Sequence, residues 1–593
     1  MFKSHSCGSL RAEHIGMGVT LAGWVHLRRD FGGVIFIVLR DREGLVQVVV
    51  SADTAPEAQR VAAEVRSEYV IQVEGSVRRR PDDQVNTEWP TGEVEVVAEA
   101  VRILNVAKTP PFYIYEETQV DEALRLRYRY LDLRRTRMQR NLVLRHHIVR
   151  TIRDYLNARG FLEIETPALF KSTPEGARDY LVPSRIHPGR FYALPQSPQQ
   201  LKQLLMVAGF ERYYQIARCF RDEDLRGDRQ PEFTQLDLEM SFVHRDDVLD
   251  VVEGLFTELV PAVTPHKRVI TPFPRLSHAE ALDRYGTDKP DLRFGMTLVD
   301  LSETLSASEF RVFSGTLAAG GRIRGIVAPG CAGYTRREID ELTEIARREG
   351  AQGLVTLAFA EDGVKGPAVK FLTETETGAI AEATGAGAGD LVCIVAAPTA
   401  VAGAALSALR VTFRDRLGLA DPDLVAMGWI VDFPMFEWNA EEERWDAAHH
   451  PFTMPRPATY EAMMEAPKAV LSDAYDLVCN GYELASGSIR VHDPQIQSDI
   501  FRVLGYDPED ARARFGHMME AFSYGAPPHG GIAPGIDRLA MILADEQSIR
   551  EVIAFPKTTQ ATDLMAGAPS PATERQLREL HIRLAEDVPA DGE

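Results

Sequence analysis

Two carboxylates flank a short turn in the last quarter of the chain. Asn480-Gly481 is a strong signal for a type I′ hairpin turn, so Val478 is expected to pair with Glu483. Asp476 lies two residues before Val478, which places it on the same face as Glu483 at a diagonal distance of roughly 7 Å. Two carboxylates at that spacing suit a divalent cation. A solvated acidic face fits the same pattern, and both interpretations remain open at this point.

Arg490 follows Glu483 by seven positions, an odd number. In a regular strand its side chain would therefore lie on the opposite face. A β-bulge at Ser486-Gly487 would return Arg490 to the face that carries Glu483. The sequence predicts this bulge, and with it a cation beside the two carboxylates.

A second polar face is predicted over residues 232–240 (EFTQLDLEM). Alternating residues share a face of a strand, so Leu236, Leu238 and Met240 form an apolar face. The opposite face carries Phe233, Gln235, Asp237 and Glu239. A preceding strand over 213–221 and the charged loop 222–231 indicate an antiparallel hairpin with Arg221 near its mouth. A binding face and an exposed polar face both fit this pattern.

A glycine-rich stretch, 530–539 (GGIAPGIDRL), precedes apolar residues at helical spacing, Leu539, Ile542 and Leu543. Glycines permit a close backbone approach, and Arg538 stands at the start of the predicted helix. This combination favours anion binding. An ordinary turn before a helix would give the same pattern.

Composition limits the class of protein that carries these residues. The chain has 593 residues, of which 45% are hydrophobic and 26% charged, so several globular domains are expected. No apolar run is long enough to cross a membrane, and the start lacks a signal-peptide profile, so we expect a cytoplasmic protein. Five widely separated cysteines without a C-x-x-C pair predict reduced, buried thiols. The net charge of −21 argues against a nucleic-acid coat protein.

The amino-terminal part is less acidic than the rest. Residues 1–110 carry 13 basic and 15 acidic residues. Five short strands and one helix over 1–107 are typical of an OB-fold β-barrel, whose sheet face commonly holds single-stranded nucleic acid. Arg28, Arg29, Phe36, Gln47 and Arg78 to Arg80 supply cations for phosphates and an aromatic ring for stacking. A nucleic-acid site and a plain interaction module both fit these residues.

Beyond residue 107 the pattern changes three times. Lys108 to Pro111 predicts a hinge, because two prolines cannot continue a β-ladder. Apolar residues at helical spacing over 148–156, ending at Gly160, predict a helix with a glycine cap. The Ala- and Gly-rich region 297–419 alternates strand and helix patterns and has few residues suited to chemistry, which indicates an inserted domain.

The ordered set of segments resembles the class II aminoacyl-tRNA synthetases, and almost the whole chain resembles their bacterial-type aspartyl members. Motif 1 corresponds to 160–167 (GFLEIETP), motif 2 to 220–223 (FRDE) through 233–237 (FTQLD), and motif 3 to 535–538 (GIDR). The aspartyl-specific segments are 174–179 (PEGARD), 196–203 (QSPQQLKQ), 449–452 (HHPF) and 487–490 (GSIR).

The resemblance implies a multidomain α+β protein. It has an amino-terminal OB-fold β-barrel, an antiparallel β-sheet catalytic domain flanked by helices, and an inserted α/β domain. The expected boundaries are 1–107 for the anticodon-binding OB-fold, 108–135 for the hinge, 136–290 and 421–560 for the two parts of the catalytic domain, 291–420 for the insertion, and 561–593 for a carboxyl-terminal extension.

The resemblance also implies an ATP site. Arg221 would bind the α-phosphate and Arg538 the γ-phosphate, and these two with Glu223 are the implied catalytic residues. Phe233 would stack on adenine. The other implied nucleotide-binding residues are Asp222, Gln230, Glu483, Gly535, Ile536 and Asp537. Asp476 and Glu483 would hold Mg²⁺, which usually takes one or two carboxylates alongside substrate phosphates.

For aspartate, the resemblance implies that Lys202 and Arg490 hold the side-chain carboxylate. Asparagine would then leave two buried cations uncompensated, at a cost of about 2 to 5 kcal/mol. Glu175, Gln199 and Asp237 would surround the ammonium group. The other implied aspartate-binding residues are Ser197, Gln200, Leu201, Arg221 and His449.

The implied function is the ATP-dependent attachment of L-aspartate to the 3′-end of tRNA(Asp) through an aspartyl-adenylate, by a homodimer formed through motif 1. Arg29, Phe36, Gln47, Arg78 and Glu93 would bind the anticodon. Lys202 with Arg490 disfavours an asparaginyl or lysyl enzyme, and the retained site residues disfavour an inactive tRNA-binding paralogue. An enzyme that also charges tRNA(Asn) stays open, although Phe31 beside Arg29 favours strict discrimination.

Overall fold

The computed structural model describes residues 1–115, 119–172, 177–225 and 227–585. The chain divides into two compact units, Met1–Leu144 with Arg550–Pro571 and Arg145–Ile549 with Ala572–Glu593. The boundaries predicted at 107, 135 and 560 do not coincide with this division and stay a proposal. All five cysteines are buried free thiols, as predicted. Across the described residues, none of the helices is long and apolar enough to span a membrane.

The first unit begins with the predicted β-barrel. Its elements are β1 (Gly18–Asp30), β2 (Val34–Asp41), β3 (Gly44–Ser51), α1 (Pro56–Glu64), β4 (Val70–Arg79) and β5 (Val94–Asn105). The strands close in the order β1-β2-β3-β5-β4. Alternate residues such as Leu21, Ile37 and Val48 are fully buried inside the barrel, which confirms the OB-fold prediction.

Three helices follow the barrel: α2 (Glu122–Arg127), α3 (Arg129–Asp132) and α4 (Thr136–Asn157). The buried Arg129 donates hydrogen bonds to the carbonyls of Arg550, Ile553 and Ala554, which ties the returning segment Arg550–Pro571 to the first unit. The apolar residues that predicted a helix over 148–156 lie on α4, which ends three residues before Gly160 (φ +77°).

The second unit contains the first half of the large sheet. Its elements up to the insertion are β6 (Leu162–Glu163), β7 (Leu181–Pro183), β8 (Phe191–Ala193), α5 (Gln199–Val207), β9 (Arg212–Phe220), β10 (Glu232–Ser241), α6 (Arg245–Val263), β11 (Arg268–Val269), β12 (Arg275–Ser277) and α7 (His278–Tyr285). The β9–β10 hairpin pairs Phe233 with Cys219 and Asp237 with Gln215, and Leu236, Leu238 and Met240 are buried. The predicted hairpin and its apolar face are confirmed.

The Ala- and Gly-rich region forms its own sheet with helices packed against it. Its elements are β13 (Val299–Asp300), α8 (Arg311–Ala318), β14 (Arg322–Ala328), α9 (Arg336–Arg348), β15 (Val355–Ala360), β16 (Gly363–Lys365), α10 (Glu374–Thr384), β17 (Leu391–Ala397) and α11 (Thr399–Leu417). The strands run antiparallel in the order β13-β14-β17-β15-β16. Two apolar clusters cover the two faces of this sheet.

The chain then returns to the large sheet. The remaining elements are β18 (Leu424–Val425), β19 (Met427–Val431), β20 (Phe436–Asn439), β21 (Arg444–Ala447), β22 (Ala474–Cys479), β23 (Tyr482–Ile489), α12 (Pro494–Val503), α13 (Pro508–Phe522), β24 (His529–Pro534), α14 (Ile536–Leu543) and α15 (Glu574–Glu579). The eight strands of the sheet lie in the order β12-β19-β22-β23-β24-β10-β9-β6. The sheet is antiparallel except at its two edges, where β12 pairs with β19 and β6 with β9 in parallel. Its centre thus brings together β10, the β22–β23 hairpin and β24, the three segments for which the sequence predicted site residues.

Candidate active site

A cavity of about 830 Å³ lies on the polar face of the large sheet. Fourteen of the predicted substrate-binding residues line it: Ser197, Gln199, Lys202, Arg221, Glu223, Gln230, Phe233, Asp237, His449, Glu483, Arg490, Gly535, Asp537 and Arg538. They come from α5 and the residues just before it, from β10 and the loop that joins it to β9, from the segment after β21, from β23 and the residue that follows it, and from the start of α14. Residues separated by more than 300 positions in the sequence therefore share one site.

The predicted bulge in β23 exists, but at another residue. Val478 pairs with Glu483 as predicted, whereas Leu477 already pairs with Ala485, so Leu484 is the extra residue. The prediction of a bulge at Ser486-Gly487 was wrong by two positions. Any single extra residue between Glu483 and Arg490 restores the phase of the strand, so the consequence still holds. Arg490 donates to Ser488 Oγ at 2.7 Å and lines the same cavity as Glu483.

Four charged side chains form a buried cluster at one end of the cavity, which we call the amino-acid end: Lys202, Asp237, Glu239 and Arg490. Lys202 Nζ bonds Asp237 and lies 3.3 Å from Glu239. Arg490 donates to both oxygens of Glu239, at 2.9 and 3.2 Å. The side chains are at most 2% exposed. Two cations and two carboxylates thus neutralise each other before any substrate enters.

This pairing corrects the expected basis for rejecting asparagine. Burial raises the pKa of Asp237 despite its contact with Lys202. Burial also opposes ionisation of Glu239, but Arg490 and Lys202 together lower its pKa below the usual range. The two cations therefore have partners without substrate, and asparagine would not leave them uncompensated. Its amide nitrogen would instead point hydrogen-bond donors at Lys202 and Arg490, which have only donors to offer.

Two adjacent histidines next to this cluster have different roles. His450 Nε2 accepts a hydrogen bond from Arg490 Nη1 at 2.9 Å, and burial with the nearby Arg490 lowers the pKa of His450 well below its usual value. His449 Nε2 lies 3.5 Å from Asp476 Oδ1. Burial opposes protonation of His449, yet Asp476 raises its pKa above the usual value. The sequence analysis placed both histidines in the segment 449–452 but named only His449 as an aspartate-binding residue.

The other end of the cavity, which we call the nucleotide end, contains Arg221, Phe233 and Arg538. The Arg221 guanidinium lies over the ring of Phe233, 5.1 Å from its centroid. Arg221 Nε is buried and has no hydrogen-bond partner among the described residues. Arg538 donates to the carbonyl of Glu483 and, at 3.0 Å, to Asp228 Oδ2. An aromatic face and two guanidinium groups suit a purine ring and its phosphates.

Asp537 fixes motif 3 against motif 2. Its Oδ2 accepts the backbone N–H of Thr234 at 2.7 Å, and its Oδ1 accepts a hydrogen bond from Arg145 of α4.

Gly531 of the glycine-rich stretch allows close packing of β24 against β10. A Cβ on Gly531 would lie 2.0 Å from Glu239 Oε2, so only glycine allows β24 to pass beside that carboxylate.

Asp476 and Glu483 meet as the sequence predicted. Asp476 is the largest cause of a raised pKa at Glu483, followed by burial. Asp476 Oδ1 is buried without a hydrogen bond among the described residues. Two repelling carboxylates suit Mg²⁺, and Asp476 Oδ1 also lies 3.5 Å from His449 Nε2. No larger cluster of metal-binding side chains occurs in the part of the chain that the structure describes. The remaining ligands of such an ion would have to come from substrate phosphates and water.

Several predicted residues do not line the cavity. Asp222 lies beside Arg178 at 3.7 Å, and Ile536 is fully buried in the core. Gln200, Leu201 and Asp476 are likewise absent from the lining. Glu175 lies outside the described residues.

The structure also assigns contacts to residues that the sequence analysis did not name as binding residues. Glu239 and His450 contact Arg490, and Lys289, from the segment after α7, lines the nucleotide end. The alternation of residues 232–240 had placed Glu239 on the polar face, which was a usable signal. No pattern pointed to Lys289.

On the barrel, four of the five predicted anticodon residues, Arg29, Phe36, Gln47 and Arg78, share one outer face. Arg29 pairs with Phe36, and Phe36 pairs with Val49, two residues from Gln47. Gln47 Nε2 donates to Glu95 Oε2 at 2.9 Å, and Arg78 donates to Glu95 Oε1.

Glu93 is not part of this arrangement. It precedes β5, is exposed, and lies 4.0 Å from Arg79, which points to the other face of β4 from Arg78. The structure therefore places Arg29 beside Phe36 and joins Gln47 and Arg78 through Glu95, a residue that the sequence analysis did not select.

The fold and the cavity together define a class II aminoacyl-tRNA synthetase. The family model of the class II tRNA synthetases (D, K and N) matches residues 121–559, and that of the OB-fold nucleic acid binding domain matches residues 19–104. The chain belongs to the class II tRNA synthetase family, and is an enzyme of that family.

The chain is also similar over nearly its whole length to individual curated enzymes of this family. The chain is 55% identical to an aspartate–tRNA(Asp/Asn) ligase of Dehalococcoides mccartyi over 98% of this chain and 99% of the relative. It is 56% identical to enzymes of the same name from Rubrobacter xylanophilus and Moorella thermoacetica, over 98% of this chain and 97% of each relative.

Solved structures support the fold. The asparaginyl-tRNA synthetase of Pyrococcus horikoshii with asparaginyl-adenylate has a TM-score of 0.59 at 20% identity, covering 94% of this chain and 99% of that one. The aspartyl-tRNA synthetase of Entamoeba histolytica has a TM-score of 0.57 at 19% identity, covering 94% and 91%. The predicted family and fold class are confirmed.

Proposed function

We propose that this protein uses ATP to attach L-aspartate to the 3′-end of tRNA. The observation that carries the proposal is the amino-acid end of the cavity, where Lys202 and Arg490 are held in fixed positions by buried carboxylates. The cavity continues without interruption from this end to the nucleotide end. One site can therefore hold an acidic amino acid against the α-phosphate of ATP.

In the first step, the α-carboxylate of aspartate attacks the α-phosphorus. A bond forms between the carboxylate oxygen and phosphorus, and the bond to pyrophosphate breaks, so no protein nucleophile is required. Arg221 stabilises charge at the α-phosphate and also faces the amino acid, while Arg538 binds the γ-phosphate. Phe233 stacks on adenine. Glu223, which pairs with Arg229 at 3.3 Å, and Gln230 line the nucleotide site.

The charges and hydrogen-bonding groups of the amino-acid end are complementary to those of aspartate. Lys202 and Arg490 bind its side-chain carboxylate. Asp237 and Gln199 face its ammonium group, with Ser197 and His449 nearby. Holding both reactants in one geometry supplies much of the rate, since positioning replaces a chance encounter.

Asp476 and Glu483 would hold Mg²⁺ at the nucleotide end. The metal would neutralise charge on the phosphate oxygens of ATP. The like-charged pair is less stable without such a cation, which is consistent with the raised pKa of Glu483. We include Mg²⁺ in the proposal on this donor set.

In the second step, the 3′-hydroxyl of the terminal tRNA ribose attacks the carbonyl of aspartyl-adenylate, and AMP leaves. The barrel face with Arg29, Phe36, Gln47, Arg78 and Glu95 would bind the anticodon.

We further propose a cytoplasmic homodimer that assembles through motif 1. The edge strand β6, with Leu162 half exposed, is a free pairing surface within the described part of the sheet.

A second candidate function is favoured by the relatives. The curated enzymes above, at 55 to 56% identity, are aspartate–tRNA(Asp/Asn) ligases by name. Phe31 had favoured strict discrimination; it is exposed and contacts the ring of Phe36 edge-on, with 5.7 Å between ring centroids. We therefore propose that the enzyme charges tRNA(Asp) and that tRNA(Asn) is a second substrate.

The test is aminoacylation of purified tRNA(Asp) and tRNA(Asn) transcripts with labelled aspartate. Charging of both transcripts is the expected result, and labelled asparagine is expected to be inert. Charging of tRNA(Asp) alone would restrict the proposal to a discriminating enzyme. If neither transcript is charged while the protein still catalyses aspartate-dependent ATP–pyrophosphate exchange, adenylation stands and the tRNA assignment fails. If both reactions fail, the proposed function is wrong.

A further inference from the structure

A chain of three buried side chains leads from the cavity into the core. Gln199 lines the cavity at the start of α5, and Gln203 lies one helical turn further along. Gln199 Nε2 donates to Gln203 Oε1 at 2.9 Å, and Gln203 Nε2 lies 3.1 Å from His529 Nε2. Gln203 and His529 are fully buried and do not line the cavity. Three polar side chains, of which only Gln199 reaches the cavity, thus form one continuous hydrogen-bonded chain.

His529 sets the direction of every bond in this chain. Its Nδ1 lies 2.7 Å from the carbonyl of Pro527, which can only accept a hydrogen bond. Burial is the largest cause of a lowered pKa at His529, which favours the neutral ring with one proton. That proton must be on Nδ1, and Nε2 is therefore an acceptor.

The amide orientations follow from this tautomer. Since His529 Nε2 accepts, Gln203 must present its amide nitrogen to the histidine and its oxygen to Gln199. Gln199 must then direct its own amide nitrogen inward, as observed. Its Oε1 has no donor within the described residues. The chain fixes a hydrogen-bond acceptor, and not a donor, at the wall of the cavity.

We propose that His529 is a positioning residue for aspartate, which acts through Gln203 to hold the oxygen of Gln199 toward the ammonium group of the substrate. The inference rests on the proposed function, because it needs an α-amino acid in this part of the cavity. An ammonium group has three donors and no acceptor, so it distinguishes the two orientations of an amide. A reversed Gln199 would place N–H groups against a cation.

His529 also supports the site through its backbone. Its carbonyl accepts the backbone N–H of Arg490 at 2.9 Å. Loss of the side chain could therefore disturb Arg490 as well, and the test must separate a specific effect on the ammonium group from a general disturbance. Two substitutions that each keep one half of the imidazole make this separation.

In His529→Gln, the new amide oxygen can occupy the place of Nε2 and accept from Gln203, while the bond to Pro527 is lost. In His529→Asn, the shorter amide can keep the bond to Pro527, but no atom remains to accept from Gln203. Aspartate-dependent ATP–pyrophosphate exchange measures the KM for aspartate and for ATP in each variant. We expect His529→Asn to raise the KM for aspartate by about ten-fold or more, the effect of a lost hydrogen bond to a charged group. We expect His529→Gln to stay within about three-fold of the wild type, and the KM for ATP to change little in both.

Succinate provides the second readout, since it is aspartate without the ammonium group. Its inhibition constant against aspartate is expected to be the same in the wild type and in both variants. If His529→Asn weakens succinate and aspartate equally, or if the two variants have the same KM for aspartate, the proposal is overturned.

Gln203 keeps the test decisive if the variants at 529 do not fold. Gln203→Leu removes both bonds of the chain without touching the backbone contact to Arg490. It should raise the KM for aspartate by about ten-fold and leave succinate inhibition unchanged. An unchanged KM for aspartate would overturn the inference. Absence of exchange in the wild type would instead be a failure of the proposed function.

Discussion

The amino-acid end and the nucleotide end of the cavity hold their charges in opposite ways. At the amino-acid end, Lys202 and Arg490 are paired with Asp237 and Glu239, and all four side chains are buried. At the nucleotide end, Glu483 lies beside the like-charged Asp476, and Arg221 Nε has no partner among the described residues. The charges of the first cluster balance without substrate, and only Asp237 Oδ2 accepts no hydrogen bond there among the described residues, whereas the second has charges that a ligand would satisfy.

This difference matches the size and charge of the two substrates. Aspartate is small and offers few contacts, so its recognition depends on donors and acceptors that are already fixed. ATP with Mg²⁺ is large and highly charged, and it can supply the missing partners itself. We infer that the amino-acid end provides selectivity and that the nucleotide end provides charge stabilisation in the transition state.

The largest effect is expected from Lys202→Leu. It leaves Asp237 buried without its cation, so the free energy of unfolding should fall by about 3 to 5 kcal/mol. Aspartate-dependent exchange should be lost. Urea unfolding and exchange measured on the same preparation check both parts. A variant as stable as the wild type would show that the cluster is not paired before substrate binds.

The double variant Lys202→Leu with Asp237→Asn is the matched control. It removes the unpaired charge and should recover part of the stability but none of the activity. The pKa of Asp237 is already raised by burial, and the loss of Lys202 raises it further. The folded form of the single variant therefore binds a proton more readily than the unfolded form, so its stability deficit should shrink as the pH falls. A deficit independent of pH would contradict this explanation.

Arg538→Gln should affect function strongly and stability little. Its partner Asp228 is about one third exposed, and such a pair contributes about 1 kcal/mol or less. The loss of a charge-assisted contact to the triphosphate should lower kcat/KM for ATP by about 100-fold. Arg538→Lys, which keeps the charge without the forked geometry, is the control and should be intermediate. A large loss of stability would mean that the two ends of the cavity are built alike.

The sequence predicted the elements that position the site because their patterns are local. Period-two alternation identified β10, and Asn480-Gly481 identified the turn between β22 and β23. The position of the bulge could not be predicted, because an extra residue at Leu484 or at Ser486 restores the same phase. Only the pairing with β22 selects Leu484.

The sequence analysis did not identify Glu95 and Glu239 as site residues because their contacts are with other segments of the chain. Glu93 and Glu95 have the same parity, so alternation cannot choose between them, and only the register with Gln47 on β3 selects Glu95. The role of Glu239 depends on Lys202 from α5 and Arg490 after β23, which approach it from two other parts of the chain. Neither contact leaves a pattern within the segment itself.

Asp476→Asn should change activity and stability in opposite directions. Removing the like charge should lower the pKa of Glu483 toward its usual value, while the loss of the contact with His449, whose pKa Asp476 raises, opposes this gain; the protein without metal should therefore be stabilised by about 1 kcal/mol at most. The same change removes a candidate Mg²⁺ ligand, so exchange should require about ten-fold more Mg²⁺. Thermal unfolding without Mg²⁺ and a Mg²⁺ titration of exchange are the measurements. Asp362→Asn, at an exposed pair with Lys365, is the control, and an equal Mg²⁺ requirement in both variants would argue against a metal role for Asp476.

The smallest effect on activity is expected from a substitution at Lys289. This exposed lysine lines the nucleotide end of the cavity. Its charge lowers the pKa of Glu483, whereas Asp476 raises it. No ion pair of Lys289 occurs among the described residues, so its charge is available to the phosphates of ATP. Lys289→Ala should raise the KM for ATP by about two- to five-fold, as expected for an exposed charge pair, and leave the KM for aspartate unchanged. Lys365→Ala removes an exposed lysine far from the cavity residues in sequence and should have no effect. Because exposed charges are screened by salt, the difference between the two variants should shrink as ionic strength rises. An effect on aspartate, or one that salt does not reduce, would place Lys289 among the preassembled groups of the amino-acid end and weaken the contrast between the two ends.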